Sequence, residues 1–129
     1  NRTLCALTRQ ELRIDLKPSA GQLFFATAAG GAGSNVYGAL EPEDEIARSA
    51  AVQFDGDGAT AVTIAFPRIP PGATTRFRFD IDDAVSGEYG TMVDGGELTG
   101  AVATLNGARA VFGVSGVVAF ETRADCAIS

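Results

Sequence analysis

Hydrophobic and polar residues alternate with a period of two in several stretches of this chain. The clearest stretch is 11–17, and the alternation returns in 61–66 and again in 75–82. Alternation of this kind predicts strands that bury one face and leave the other in water, as in antiparallel sheets. The positions predicted to face the core are Leu12, Ile14, Leu16, Val62, Ile64, Phe66, Phe77, Phe79 and Ile81.

Turn signals separate these strands. Asp57-Gly58 and Asn106-Gly107 are dipeptides that favour the positive φ angles of tight hairpin turns. The acidic loop 41–45 is expected to start one short helical turn before Arg48, and no other segment keeps a helical period for long. We therefore expect an all-β domain spanning 1–129, an antiparallel β-sandwich of about nine or ten strands. Greek-key and jelly-roll connections both fit this pattern.

The composition of the chain argues against several classes of function. The chain has 129 residues, 46% of them hydrophobic, which is enough for one folded core. Its net charge of −6 disfavours a nucleic acid partner, and no apolar run is long enough to span a membrane. There is no His, the commonest general base, and no Trp, a frequent platform for sugar rings. We expect no catalytic activity.

The only two cysteines, Cys5 and Cys126, lie near opposite ends of the sequence. Such a pair predicts a disulfide that joins the two ends of the domain, and hence an oxidising, extracellular location. In the chain-entropy description, closing so long a loop stabilises the fold by about 4–5 kcal/mol. The alternative is a pair of buried, unpaired thiols in a cytosolic protein.

Acidic residues gather in two neighbouring segments. Asp80 and Asp82 lie at the end of the third alternating stretch, and Asp83 begins the loop after it. Asp94 and Glu97 lie in the next glycine-rich turn. Carboxylates that converge from two loops are the ligands that Ca²⁺ prefers, so this set predicts a calcium site. The alternation predicts that Asp80 and Asp82 point outward, as do Arg76 and Arg78. The alternative to calcium is therefore a solvated strand end whose carboxylates pair with Arg76 or Arg78.

The two tyrosines, Tyr37 and Tyr89, are candidate ligand-binding residues. Each precedes a glycine, next to which an aromatic ring can lie flat and exposed. They could stack on a sugar or anchor a partner. The alternative is that each ring packs on a sheet edge and keeps its hydroxyl in water.

The middle third of the chain resembles β-sandwich accessory modules of secreted multidomain proteins from marine and environmental bacteria. The resemblance rests on Ile69-Pro70-Pro71-Gly72, on the sequence FRFDIDD at 77–83, and on Glu97-Leu98-Thr99-Gly100-Ala101. Such modules accompany adhesins and polysaccharide-acting enzymes. The resemblance implies an extracellular accessory role, with Asp80, Asp82, Asp83 and Glu97 at the positions of the acidic signature.

Together these features predict a non-catalytic extracellular binding module. The expected partner is a polysaccharide or another extracellular polymer, with Ca²⁺ stabilising the acidic segments. The alternative is a structural or adhesive module that contacts cell-surface proteins through its sheet edges.

Overall fold

The computed structural model describes residues 1–26, 40–56, 58–83 and 95–120. The described chain is built mainly of antiparallel strands, as predicted, with one short helix. The elements are β1 (Leu7–Asp15), β2 (Leu23–Phe25), β3 (Leu40–Pro42), α1 (Glu45–Ser49), β4 (Ala51–Phe54), β5 (Ala61–Ile69), β6 (Phe77–Phe79), β7 (Ile81–Asp83), β8 (Val102–Leu105) and β9 (Ala108–Val111).

A five-stranded sheet with the order β4-β5-β1-β8-β9 forms the largest unit. Strand β1 lies in its centre, where Ile14 is opposite Val62 of β5 on one side and Ala103 of β8 on the other. All four pairings are antiparallel. Strand β1 therefore pairs with one strand from the middle of the chain, β5, and with one from the last third of the chain, β8.

The alternating segment 75–82 differs from the prediction of one continuous strand. It divides at Asp80 into β6, which pairs with β3, and β7, which pairs with β2. The backbone carbonyl of Asp80 accepts a hydrogen bond from the N–H of Ala26, just after β2. The segment thus pairs with two different short strands, first β3 and then β2, each over three residues.

One hydrophobic core joins all three sheets. Its fully buried members are Leu16, Leu23, Phe25, Val62, Ile64, Phe66 and Ala101. Phe25 makes edge-to-face contacts with Phe54 and Phe79, at centroid distances of 5.3 and 5.6 Å. This geometry is the favoured one for aromatic pairs. Phe77, Phe79 and Ile81 also pack on this cluster, which confirms the predicted inward face of 75–82.

Both predicted hairpins are present as antiparallel pairs. Asn106 and Gly107 connect β8 to β9 with φ angles of 46° and 89°, the left-handed conformation that an Asn-Gly turn supplies. Strands β4 and β5 pair as predicted, although Asp57 of their connection lies outside the described residues.

Asp44 fixes the predicted short helix to a neighbouring strand. Its Oδ1 accepts hydrogen bonds from the backbone N–H of Ala47, which caps α1, and from the Thr75 hydroxyl. Its Oδ2 accepts one from the backbone N–H of Arg76, just before β6. The Ala47 bond lowers the pKa of Asp44 most; the Thr75 and Arg76 bonds and the charge of Arg48 also lower it, against the opposing effect of desolvation.

Candidate functional site

The first candidate site is the acidic edge, defined by Asp80, Asp82, Asp83 and Glu97. Asp82 lies in β7 opposite Phe24 of β2, and its residue surface is only 8% exposed. The expectation of an outward, solvated Asp82 is therefore wrong. Pairing with β2 covers this position, and a buried carboxylate requires hydrogen bonds or a cation to offset its lost hydration.

Glu97 lies beside the start of β2. The N–H of Gly21 donates to the Glu97 carbonyl at 3.0 Å, and a Cβ at Gly21 would lie only 2.7 Å from the Glu97 Cβ. Only glycine allows this close approach. Two residues further on, Leu23 pairs with Asp83, so the fold brings the backbones of Glu97 and Asp83 to the same end of β2.

The complete predicted calcium ligand set is not described. Asp94 lies outside the described residues, and only the backbone of Asp83 can be placed. In the described part of the chain, no group of three or more His, Cys, Asp or Glu side chains is arranged to hold a metal ion. The calcium site stays a prediction. Arg78, expected as a partner of Asp80 or Asp82, forms ion pairs with Glu41 and Glu43 at 3.7 and 3.2 Å.

Three further predicted residues, Tyr37, Tyr89 and Cys126, lie outside the described residues. The tyrosine-based ligand site and the Cys5–Cys126 disulfide therefore stay predictions. Cys5 itself is exposed, at the beginning of the chain before β1, which does not fit the alternative of a buried thiol.

A second candidate site, not predicted from the sequence, lies on the outer face of the five-stranded sheet. Each strand contributes one hydrogen-bonding side chain to a single line across the sheet, because Thr63 pairs with both Gln53 and Arg13, and Thr104 pairs with both Arg13 and Arg109. We call this line the polar row. With strands about 4.8 Å apart, it spans about 19 Å. Its members are Gln53, Thr63, Arg13, Thr104 and Arg109.

The polar row is accessible to solvent. Gln53, Arg13 and Arg109 are exposed, and the two threonines are half-buried between them. Arg13 is held in place, because its Nη2 donates to Asp55 Oδ2 at 3.1 Å and its Nη1 donates to Thr63 Oγ1 at 3.3 Å. Among the described residues, no carboxylate lies within ion-pair distance of Arg109. Its guanidinium donors therefore face solvent.

A shallow groove of about 350 Å³ lies beside the polar row, at residues of β1, β4 and β5 and the end of α1. Ala51 and Ala65 form a low floor because their side chains end at Cβ, and they pair with each other across β4 and β5. The other lining residues are Arg9, Gln10, Glu11, Ser49, Phe66 and Pro67. We call this feature the alanine groove. Along each strand it lies two residues, about 7 Å, from the polar row.

The backbone is irregular at one wall of this groove. Arg9 has a φ of 52°, a left-handed conformation that is uncommon for a residue other than glycine. It stands opposite Pro67, where the regular β1–β5 pairing is interrupted. Pro67 has no N–H to donate, so the two strands can separate locally. Backbone outliers of this kind concentrate at functional sites.

Comparisons of this chain with protein-family models, with curated proteins and with solved structures gave no match. The resemblance to bacterial accessory modules therefore stays a prediction. Within the described ranges, no helix has the length and apolar character needed to cross a membrane.

Proposed function

We propose that this protein is a non-catalytic extracellular binding module that holds a carbohydrate or similar polymer on the outer face of its five-stranded sheet. The observation that carries the proposal is the polar row, in which all five strands present one hydrogen-bonding side chain along a straight line. A polar and accessible sheet face suits an extended ligand better than a small molecule that needs a deep pocket. The β-sandwich architecture, with Greek-key or jelly-roll connections, belongs to the same proposal.

Calcium binding at the acidic edge is the second part of the proposed function. It is supported by the burial of Asp82 and by the position of Glu97 beside the strand that pairs with Asp83. Ca²⁺ takes six to eight oxygen ligands and tolerates irregular geometry, so backbone carbonyls could complete such a site. A bound ion would offset the repulsion between the carboxylates and stabilise this end of β2 and β7.

The binding function is tested by screening the full chain against an array of soluble polysaccharides in buffer with Ca²⁺ and with EDTA. Reproducible binding to one class of polysaccharide would support the proposal. Binding to none, by a protein whose circular dichroism shows it to be folded, would contradict it.

The calcium part is tested separately by thermal unfolding. A ligand that binds only the folded state stabilises it by about 2.7 kcal/mol at a hundredfold excess over its Kd. We expect the melting temperature to rise with added Ca²⁺, and Asp82→Ala to abolish the rise. Equal melting temperatures in Ca²⁺ and EDTA would contradict the calcium site without affecting the polysaccharide screen.

The proposed location depends on the disulfide between Cys5 and Cys126. Intact mass measured with and without reductant should differ by the mass of two hydrogen atoms. Two free thiols in protein isolated with an alkylating agent present throughout would contradict the extracellular assignment.

An alternative function, a structural or adhesive module, is favoured by one observation. Val111, Val114 and Val117 are 50%, 82% and 64% exposed at the β9 end of the sheet. Exposed apolar residues next to an edge strand are typical of protein contacts. If this surface associates with a second copy, sedimentation should show a concentration-dependent dimer that Val114→Asp disrupts. A monomer at every concentration, together with positive polysaccharide binding, would favour the first function.

A further inference from the structure

We infer that the polar row and the alanine groove together bind a neutral, hydroxyl-rich polysaccharide whose chain crosses the strands of the sheet. This inference rests on the proposed function and specifies its ligand class and its contact residues. It concerns a different surface from the acidic edge.

The balance of charges on this face selects a neutral ligand. Arg13 is flanked on β1 by Glu11 and Asp15, which share its outer face, and it is paired with Asp55. A polyanion would meet these three carboxylates and the overall charge of −6, and a polycation would meet the guanidinium groups of Arg13 and Arg109. A sugar hydroxyl both donates and accepts hydrogen bonds, so it can use the guanidinium donors and the carboxylate acceptors together.

The spacing of the side chains selects an extended ligand. Neighbouring members of the polar row stand about 4.8 Å apart, one per strand, and the whole row spans about 19 Å. A linear chain laid across the strands meets a new hydrogen-bonding group at each step. The hydroxyl and amide groups of Thr63, Thr104 and Gln53 can adapt as donor or acceptor, whereas Arg13 is oriented by Asp55.

The alanine groove provides a place for the apolar face of one sugar ring. The methyl groups of Ala51 and Ala65 form its floor, and its volume of about 350 Å³ is open to solvent. Phe66 also lines the groove, but its surface is only 4% exposed, so ring stacking is expected to contribute little there. Affinity is expected to come from hydrogen bonds along the polar row.

The test uses isothermal titration of the full chain with neutral probes (hydroxyethylcellulose, galactomannan and xylan) and anionic probes (alginate and pectate). Variants Arg109→Ala and Gln53→Ala remove one side chain each from the polar row. The matched control is Arg76→Ala, which removes an exposed arginine away from this sheet. All variants are first checked for an unchanged melting temperature.

We expect at least one neutral polysaccharide to bind, with affinity nearly independent of salt. Arg109→Ala should weaken it about tenfold, since a lost hydrogen bond to a charged group costs about one factor of ten or more, and Gln53→Ala should weaken it severalfold. Arg76→Ala should leave it unchanged. For the neutral polysaccharide that binds, affinity should rise with oligosaccharide length until the ligand spans the row.

Different negative results would contradict the binding site, the ligand class or the proposed function. If a neutral polysaccharide binds and the two polar-row variants bind it as tightly as Arg76→Ala does, the site is wrong and the binding function stands. If only the anionic probes bind, the inferred ligand class is wrong. If no probe binds to the folded wild-type chain, both this inference and the proposed function are wrong.

Discussion

The two faces of the five-stranded sheet use the same strands for opposite purposes. On β5, Ile64 is 1% exposed and joins the core, while its neighbour Thr63 faces outward and belongs to the polar row. On β1, Ile14 faces the core and Arg13 faces solvent with Asp55 as its partner. Stability is therefore concentrated on one face and hydrogen-bonding capacity on the other, so substitutions one residue apart should have very different effects.

The largest difference is expected between Ile64→Ala and Thr63→Ala. Ile64→Ala leaves a cavity in the packed core and should lower the free energy of unfolding by about 2–5 kcal/mol. Thr63→Ala removes a half-buried hydroxyl on the outer face and should cost less than about 1 kcal/mol. Urea unfolding followed by circular dichroism measures both. Equal losses would mean that the two faces do not divide these roles.

A smaller loss of stability is expected from substitutions of Asp44, which links α1 to the segment before β6. Asp44→Ala removes the helix cap and both links to the segment before β6, so the melting temperature should fall clearly. Asp44→Ser should restore part of the loss, because a serine hydroxyl can cap α1 and is too short to bond Thr75 and Arg76 as well. The control Glu43→Ala removes only an exposed ion pair and should change little. Identical effects of the alanine and serine substitutions would contradict a capping role.

The lowered pKa of Asp44 predicts that the stability of the protein depends on pH. The pKa of Asp44 is lower in the folded protein than in the unfolded chain, so its charged form is stabilised by folding. The contribution of Asp44 to the free energy of unfolding is then fully present above about pH 4, and it is lost as the pH falls through the lowered pKa of the folded state. The difference in stability between wild type and Asp44→Ala should be constant near neutral pH and should shrink on acidification. A difference that grows in acid would contradict this sign.

The smallest effect on stability is expected from the Arg13–Asp55 ion pair on the outer face. Arg13 and Asp55 are 45% and 50% exposed, so solvent screens their ion pair. A double-mutant cycle with Arg13→Ala and Asp55→Ala should give a coupling energy of about 0.2–1 kcal/mol that weakens in high salt. A coupling well above this range would mean that the outer face also carries stability, and the contrast between the faces would be lost.

Features set by neighbouring residues could be predicted from the sequence, whereas features set by distant pairing could not. The inward positions of β1 and β5, the Asn106-Gly107 hairpin and the helical turn before Arg48 follow from local patterns, and the structure confirms them. The polar row depends on β1 lying between β5 and β8, which no local pattern encodes. Burial of Asp82 was missed for the same reason, because β2 is its partner and lies far away in sequence.

The central position of β1 also affects how the protein reaches its fold. Strand β1 precedes both of its partners in the chain, so its two edges stay unpaired until β5 and then β8 are available. Contacts between such distant segments slow folding, because the intervening chain must be ordered before the contacts form. During that delay both edges of β1 are open to pairing with other chains. Slow, concentration-sensitive refolding follows directly from this strand order.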